Sequence, residues 1–383
     1  MDEAASAEPV RSFEVSKDNL RHWRWHDDPT PDPARLEADQ ILVEVQKFAL
    51  TSNNITYARL GEPIAKTTTI SYWRFFPAAE GWGSIPVWGV GQVIASRNAD
   101  IRPGEHVYGF FPMATHLVMN AKMQDAARLV DDAPHRRDLP AIYQDYVLID
   151  RDERFHHMGA DAYLLVRPAF SLSFCCAFFL QTKDYFGATR IIISSASSKV
   201  SLGLCHLLVK HRPPGLDVCG LTSAANAEIV SDRGEFDRVY TYDKIEEIPV
   251  EGGTVFIDVS GDGRVRARIH HQLGDTLVYS CLAGFTHWEH VTDLEEPLPG
   301  PTPELFSTPA HMVTLRNAWG VEGYWERFTL EYDSFLAYMT PWFKVDRRAG
   351  KRAVESAYGD VLDGMISPDV GCVLSIDDDA GRA

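Results

Sequence analysis

The sequence is short of basic residues and of long apolar runs. Its 383 residues include 37 Lys and Arg against 54 Asp and Glu, a formal net charge of −17. This excess of negative charge repels a phosphate backbone and an anionic membrane surface, so we expect no nucleic-acid or membrane partner. No run reaches the roughly 18 consecutive apolar residues of a membrane span. The acidic start, residues 1–5, lacks the features of a signal peptide, which predicts a cytoplasmic protein.

Metal-binding and disulfide patterns are also lacking. No two of the six cysteines form a Cys-x-x-Cys pair, and most of them lie in or beside apolar stretches. A structural zinc site needs closely spaced ligands, so we expect no metal. The cysteines are therefore predicted to be buried thiols: Cys175, Cys176, Cys205, Cys219, Cys281 and Cys372.

What the sequence does contain is a change of pattern along the chain. Residues 1–165 have short β runs at 41–45 and 86–95, and a Pro-Gly turn at 101–109 that leads into a further strand. Two stretches look like insertions, 66–84 and 113–139; they would form a lid or partner surface or, preferably, decoration packed on the core. From Arg190, apolar strands alternate with helices, which predicts a doubly wound parallel sheet over 166–308. Residues 309–383, with an amphipathic segment at 334–344 and a strand at 371–374, are expected to return to the first domain.

The first strand of this second region, 190–194, is followed by a turn that lacks glycine. A dinucleotide-binding turn needs small residues so that backbone N–H groups at the helix start face the pyrophosphate. Here the three glycine positions fall on Ser195, Ser198 and Ser201. An ordinary helix N-cap explains serine equally well. As a phosphate turn, the predicted contacts are Ser195, Ser197, Ser198, Lys199 and Val200.

The second strand of the region lacks an acidic residue at its end. An NAD-preferring site places Asp or Glu there to bind the ribose hydroxyls, whereas this chain has Thr222, Ser223 and Asn226. A neutral, hydroxyl-rich end favours the 2′-phosphate of NADP(H), with Lys199 or Arg233 as countercharge. The alternative is that Thr222 and Ser223 only cap the next helix.

Five motifs stand out along the chain: Tyr57-Ala58-Arg59-Leu60-Gly61, Gly89-Val90-Gly91-Gln92-Val93, the Pro-Gly turn at 101–109, the run 191–201 and Tyr242-Asp243. Together they resemble the medium-chain dehydrogenase/reductase superfamily, in particular its zinc-free, quinone-reductase-like members. Three further features are closest to a bacterial branch known only as a domain of unknown function: the run 194–199, Arg167-Pro168 and residues 286–288.

The resemblance implies a fold, a cofactor and an assembly. The fold would be α/β, with a GroES-like β-rich catalytic domain and a Rossmann domain that binds NADP(H), and Tyr242 would line the adenosine. Catalytic zinc is not expected, since the stretches that carry its ligands in relatives read Thr51-Ser52-Asn53 and Val87-Trp88-Gly89. A homodimer is one assembly that the superfamily suggests.

Two side chains are candidate proton donors for a hydride transfer. The resemblance places the loop of Tyr57 over the nicotinamide, and His287 follows a strand end. Each residue type is more often a packing residue in such loops. Small residues let backbone approach the cofactor, which predicts further contacts at Ser260, Gly261, Cys281 and Gly284. An aromatic set would line a substrate pocket or, equally, form a satellite core: Trp73, Phe75, Phe76, Trp82 and Trp88.

These features predict a zinc-independent, NADPH-dependent oxidoreductase that reduces an activated C=C or C=O bond of a small molecule, such as an enone, quinone or aromatic carbonyl. The missing glycines keep open a protein that binds NADP but is redox-inert, serving as a sensor or structural relative. A lyase or isomerase that uses bound NADP is a third interpretation.

Overall fold

The chain folds into two compact units. The computed structural model describes residues 9–62, 71–152, 160–284 and 297–378. The first unit combines residues 1–165 with 344–383, and the second comprises residues 166–343. All six cysteine thiols are buried, as the sequence predicted.

Up to residue 152 the chain is mainly β-strand. One short α-helix, α1 (Ser52–Arg59), lies in the described part of this stretch. The strands are β1 (Val10–Ser16), β2 (Trp23–Asp28), β3 (Gln40–Leu50), β4 (Trp82–Ser84), β5 (Pro86–Ser96), β6 (His106–Pro112), β7 (His116–Met123), β8 (Arg128–Asp131) and β9 (Asp145–Leu148).

In the middle of the chain, strands and helices alternate. A long helix, α2 (Ala160–Thr182), precedes them, and another, α6 (Thr308–Met339), closes the region. Between these helices lie β10 (Arg190–Ser194), α3 (Lys199–His211), β11 (Asp217–Thr222), α4 (Ala224–Asp232), β12 (Arg238–Thr241), β13 (Thr254–Asp258), α5 (Gly263–Leu273), β14 (Leu277–Leu282) and β15 (Glu304–Leu305). The chain ends with β16 (Lys344–Ala349), α7 (Lys351–Leu362) and β17 (Val370–Ser375).

The first unit is built on a strongly curved sheet. Its strands run in the order β16-β17-β3-β5-β6-β9-β8-β7, and β3 also pairs with β7, which closes the sheet on itself. The close approach of β5 to β3 requires glycine, because a Cβ on Gly91 would lie 2.5 Å from Val43 Cγ1 and 2.6 Å from the Glu44 carbonyl oxygen. A smaller sheet, β2-β1-β4, completes the strands of this unit.

The stretch 113–139, interpreted from sequence as an insertion, contributes two strands to this closed sheet. It contains β7 and β8, and the side chains of Met119, Ala121 and Leu129 are buried in the core. Just beyond β8, Arg136 forms a buried ion pair with Asp131. The irregular composition of this stretch concealed strands that pair with distant parts of the chain.

The second unit contains a fully parallel sheet in the order β12-β11-β10-β13-β14-β15. The strand order reverses beside β10, the first strand of the sheet, as in a doubly wound dinucleotide-binding fold. The apolar run Ile191-Ile192-Ile193 is fully buried because helices cover both faces of a parallel sheet. The predicted fold class, a β-rich domain with a Rossmann domain, is confirmed.

The tail divides differently from the prediction, which assigned all of 309–383 to the first domain. Helix α6 belongs to the second unit, and only residues 344–383 join the first. The reason is aromatic packing: Phe328, Tyr332 and Phe335 of α6 place their rings 5.4–5.5 Å from that of Phe170 on α2. The segment 334–344 is therefore mostly the end of a much longer helix.

Helix α2 is the single described helix that is long and apolar enough to cross a membrane. Its segment Asp161–Thr182 contains an 18-residue stretch with a mean hydropathy of 1.7, and 78% of that stretch is buried inside the protein. Extensive burial of this kind is typical of a core helix.

Candidate functional site: the serine turn and the Tyr57 cluster

The turn after β10 has the backbone geometry of a glycine turn although it contains no glycine. Ser195 has φ of 48°, in the left-handed region that non-glycine residues rarely adopt. The next N–H, of Ala196, donates to the Leu221 carbonyl at the end of β11 at 3.1 Å. The chain thus reverses tightly at the carboxyl edge of the sheet and enters α3 within four residues.

The serine hydroxyls of this turn mostly bond within the turn. Ser198 is the N-cap of α3, and its oxygen accepts from the Ser201 N–H at 3.1 Å. The fully buried Ser201 hydroxyl donates to the Ser194 carbonyl at 2.9 Å. Because these hydroxyls shape the helix start, what remains to face an anion is chiefly the backbone N–H groups of the first helical turn.

Two predicted residues contact the turn: Tyr242, directly after β12, and Asn226, in the first turn of α4. The Ser195 N–H donates to the phenol oxygen of Tyr242 at 3.0 Å, and Asn226 Nδ2 donates to Ser197 Oγ at 3.2 Å. Burial raises the pKa of Tyr242, while the bonds from Ser195 lower it. The structure therefore brings together four of the predicted cofactor residues: Ser195, Ser197, Asn226 and Tyr242.

A network of buried hydrogen bonds holds the turn in place. Its central pair, Ser194 and Asp258, was not predicted from the sequence. The Ser194 hydroxyl donates to Asp258 Oδ1 at 2.9 Å and accepts from the N–H groups of Val259 and Ser260, also at 2.9 Å. Both Ser194 and Asp258 are fully buried, and Asp258 pairs with Arg266 at 3.3 Å. The available signal was an aspartate at the end of a buried strand, next to a Ser-Gly turn.

Other predicted contacts are backbone positions or are buried. Ser260 is fully buried and donates to Asp258 at 2.7 Å, and Gly261 N–H donates to the same carboxylate at 2.9 Å. Gly284 is held close, because a Cβ there would lie 2.6 Å from the Val259 carbonyl oxygen. Cys281 is 1% exposed, and burial raises the pKa of its thiol.

At the end of β11, Thr222 is 1% exposed and Ser223 is the N-cap of α4. Thr222 therefore has almost no surface for a ligand, whereas Ser223 starts a helix at the carboxyl edge of the sheet. No acidic side chain stands at 222–226, and Ser223 and Asn226 are neutral polar residues at this edge.

The two cations proposed beside this edge lie in different places. Lys199 begins α3, and its Nζ lies 5.0 Å from the centre of the Phe343 ring. Arg233 is the C-cap of α4, roughly 15 Å along the helix from Ser223 at 1.5 Å per residue. Its guanidinium lies over the Trp342 ring at 4.2 Å. Lys199 lies two residues after Ser197, which Asn226 contacts, so it is better placed than Arg233 for a 2′-phosphate at Ser223 and Asn226.

In the first unit, Tyr57 lies at the centre of a polar cluster. Asn53 Nδ2 donates to its phenol oxygen at 2.7 Å and Trp88 Nε1 at 3.3 Å. Tyr72 stacks on its ring at 4.6 Å, and the Tyr72 hydroxyl is hydrogen-bonded to that of Tyr143 at 2.8 Å. These five residues are called the Tyr57 cluster below. Burial raises the pKa of the Tyr57 phenol well above its ordinary value.

Most of the aromatic set of 73–88 is packed rather than open. Phe75 is fully buried, and Trp73, Phe76 and Trp88 are 6–7% exposed. The Arg136 guanidinium lies 4.9 Å from the Phe76 ring centre, within this core. The satellite-core interpretation fits these side chains, while Trp82 is partly exposed. His287, the other candidate proton donor, lies outside the described residues.

No group of three or more His, Cys, Asp or Glu side chains within the described ranges is arranged to hold a metal ion. The stretches 51–53 and 87–89, in which the resemblance led us to expect no zinc ligands, supply Asn53 and Trp88 to the Tyr57 cluster.

Residues 48–367 match the family described as "Protein of unknown function (DUF2855)". The chain belongs to the DUF2855 family. No curated protein matches it. Solved structures do match, and the similarity covers nearly the whole of each chain.

Three of those structures show the fold of this DUF2855 protein. CurA from Vibrio vulnificus in complex with NADPH has 13% identity, covers 97% of this chain and 100% of its own, and gives a TM-score of 0.58. The quinone oxidoreductase from Coxiella burnetii has 13% identity, 96% and 99% coverage and a TM-score of 0.54. The yhdH oxidoreductase from Salmonella enterica in complex with NADP has 14% identity, 96% and 100% coverage and a TM-score of 0.52. The resemblance to the medium-chain dehydrogenase/reductase fold is confirmed.

Proposed function

We propose that this DUF2855 protein is an NADPH-dependent reductase of an activated C=C or C=O bond, such as that of an enone, quinone or aromatic carbonyl, and that it works without zinc. The observation that carries the proposal is the turn after β10. Left-handed Ser195 and the N-cap Ser198 direct the start of α3 to the carboxyl edge of a parallel sheet at its reversal point. This is the arrangement that holds a dinucleotide pyrophosphate.

The residues present suit the cofactor. The backbone N–H groups of Lys199 and Val200 lie in the first turn of α3, and Ser197 directly precedes the N-cap Ser198, so this stretch would contact the pyrophosphate. Ser223 and Asn226 offer neutral donors to a 2′-phosphate, and Lys199 supplies the countercharge. The occurrence of NADPH or NADP in the complexes of CurA and the yhdH oxidoreductase, which share this fold, supports the same choice.

The chain supplies a proton donor in Tyr57, whose phenol is one of the few groups of the Tyr57 cluster able to give a proton to a reduced substrate. Bound NADPH would supply the hydride. We propose backbone contacts to the cofactor at Gly261 and Gly284, where the chain has no side chain to hold the ligand away. His287 stays a second candidate donor.

A direct assay tests the proposal. Purified full-length protein is first titrated with NADPH and NADH by cofactor fluorescence, and then mixed with NADPH and a panel of enones, quinones and aldehydes while NADPH absorbance is followed. We expect binding of NADPH and its oxidation with at least one class. Binding without oxidation across the panel would favour the redox-inert alternative, and absence of nucleotide binding would refute both.

A further inference from the structure

The Tyr57 phenol oxygen receives hydrogen bonds from two groups that can only donate. An indole N–H has no acceptor capacity, and neither does the nitrogen of an amide side chain. Asn53 Nδ2 lies 2.7 Å from this oxygen and Trp88 Nε1 lies 3.3 Å from it. The phenol oxygen is therefore an acceptor towards both, and its own hydrogen must point in another direction.

Both donors are held in place by the fold. Asn53 precedes Tyr57 by four residues on α1, so the two side chains share one face of the helix. Trp88 is 7% exposed on β5, and its ring stacks on that of Tyr108 at 5.6 Å. Donors fixed in advance around an oxygen stabilise negative charge there without reorganising during the reaction.

Such stabilisation is needed because this phenol is buried. Burial is the largest influence on the pKa of Tyr57 and raises it, and the neighbouring phenols Tyr143 and Tyr108 raise it further. The hydrogen bonds from Trp88 and Asn53 lower it. Without these two donors, loss of the phenol proton would leave an unstabilised charge in an apolar surrounding.

We propose that Asn53 and Trp88 are positioning residues that stabilise the charge left on Tyr57 when its phenol gives its proton to a reduced substrate. This rests on the proposed function. Hydride adds to the electrophilic carbon of the C=C or C=O acceptor while NADPH is oxidised to NADP⁺. The O–H bond of Tyr57 then breaks, its proton passes to the electron-rich atom of the acceptor, and the bonding pair stays on the phenol oxygen. A proton from water restores the phenol.

The first test measures the acidity of Tyr57 without any substrate. 3,5-Difluorotyrosine, an intrinsically more acidic phenol, is incorporated at position 57 of the full chain, and its ionisation is followed by absorbance. We expect N53A and W88F each to raise the apparent pKa by about 1–2 pH units, since a hydrogen bond to a charged group contributes this much. The control is W25F, because Trp25 donates its N–H to Glu355 at 2.7 Å elsewhere in the same unit. Equal titrations in all four proteins would overturn the inference.

The second test uses a double-mutant cycle on the reductase reaction. We expect N53A and W88F each to lower kcat about 10- to 100-fold with little change in the Kd for NADPH, and to have little further effect in the Y57F background. Equal losses with and without the Tyr57 hydroxyl would indicate a merely structural role and overturn the inference. If wild-type protein oxidises no NADPH, the proposed function fails, while the difluorotyrosine titration still decides whether these donors stabilise the phenolate.

Discussion

Replacing Ser195 by glycine should stabilise the protein, although serine there lies in the proposed binding turn. With φ of 48°, Ser195 holds a left-handed conformation that costs an L-residue about 1–2 kcal/mol. Glycine removes that cost but loses about 0.4–1 kcal/mol through the greater freedom of the unfolded chain. The side chain contributes little in return, since its hydroxyl lies 3.5 Å from that of Tyr242. The net expectation is a gain of about 0.5–1 kcal/mol.

Calorimetric unfolding of S195G, S195A and wild-type protein measures this gain. For a unit of this size, the expected rise in Tm for S195G is about 1–4 °C. Alanine keeps the strained backbone, so S195A should match or fall slightly below wild type. Both variants retain the backbone N–H that bonds Tyr242, and NADPH affinity should therefore survive. The reasoning is refuted if S195G is no more stable than S195A.

Three further outcomes are expected. K199Q should weaken NADPH binding about tenfold and NADH binding much less. R233Q, at the far end of α4, should change the affinity for neither nucleotide. If both variants weakened NADPH binding equally in a titration, the placement of the two cations would be contradicted. S194A should lower the free energy of unfolding in urea by about 2–5 kcal/mol. It removes a fully buried hydroxyl that accepts from two N–H groups and donates to Asp258. A loss under about 1 kcal/mol would argue against the network. Burial lowers the pKa of His270 below its ordinary value of about 6.5. The unfolded chain therefore binds a proton at higher pH than the folded chain, and stability should fall as the pH drops below about 6.5. H270N should make the urea midpoint of unfolding depend less steeply on pH, and an unchanged dependence would contradict this.

The parallel sheet was readable from sequence because its signals are local. The run Ile191-Ile192-Ile193 is fully buried, and the small residues at 194–198 allow the tight turn that joins this strand to the next helix. The assignment of residues 309–343 to the second unit could not be predicted from sequence, because it depends on which side chains pack against the aromatic face of α6. One of these, Phe170 on α2, lies more than 150 residues earlier in the chain.

The candidate site divides in the same way. The spacing of the turn singled out Ser195, and the resemblance singled out Tyr242, as separate cofactor residues; the hydrogen bond between them is a finding of the structure. The partners of side chains could not be predicted: the pairing of Ser194 with Asp258, and of Trp88 with Tyr57, joins strands and helices that are 31–64 residues apart. Nothing in either local sequence specifies that meeting, which only the folded sheets bring about.

Calorimetric titration of the full-length protein with NADPH and, separately, with NADH tests the central claim most directly. The account predicts one NADPH site, at least about tenfold tighter than any NADH site, because the end of β11 carries no acid to bind the ribose hydroxyls of NADH and Lys199 would countercharge the 2′-phosphate that NADPH alone carries. Saturable binding of NADH with equal or greater affinity, or no binding of either nucleotide, would contradict it.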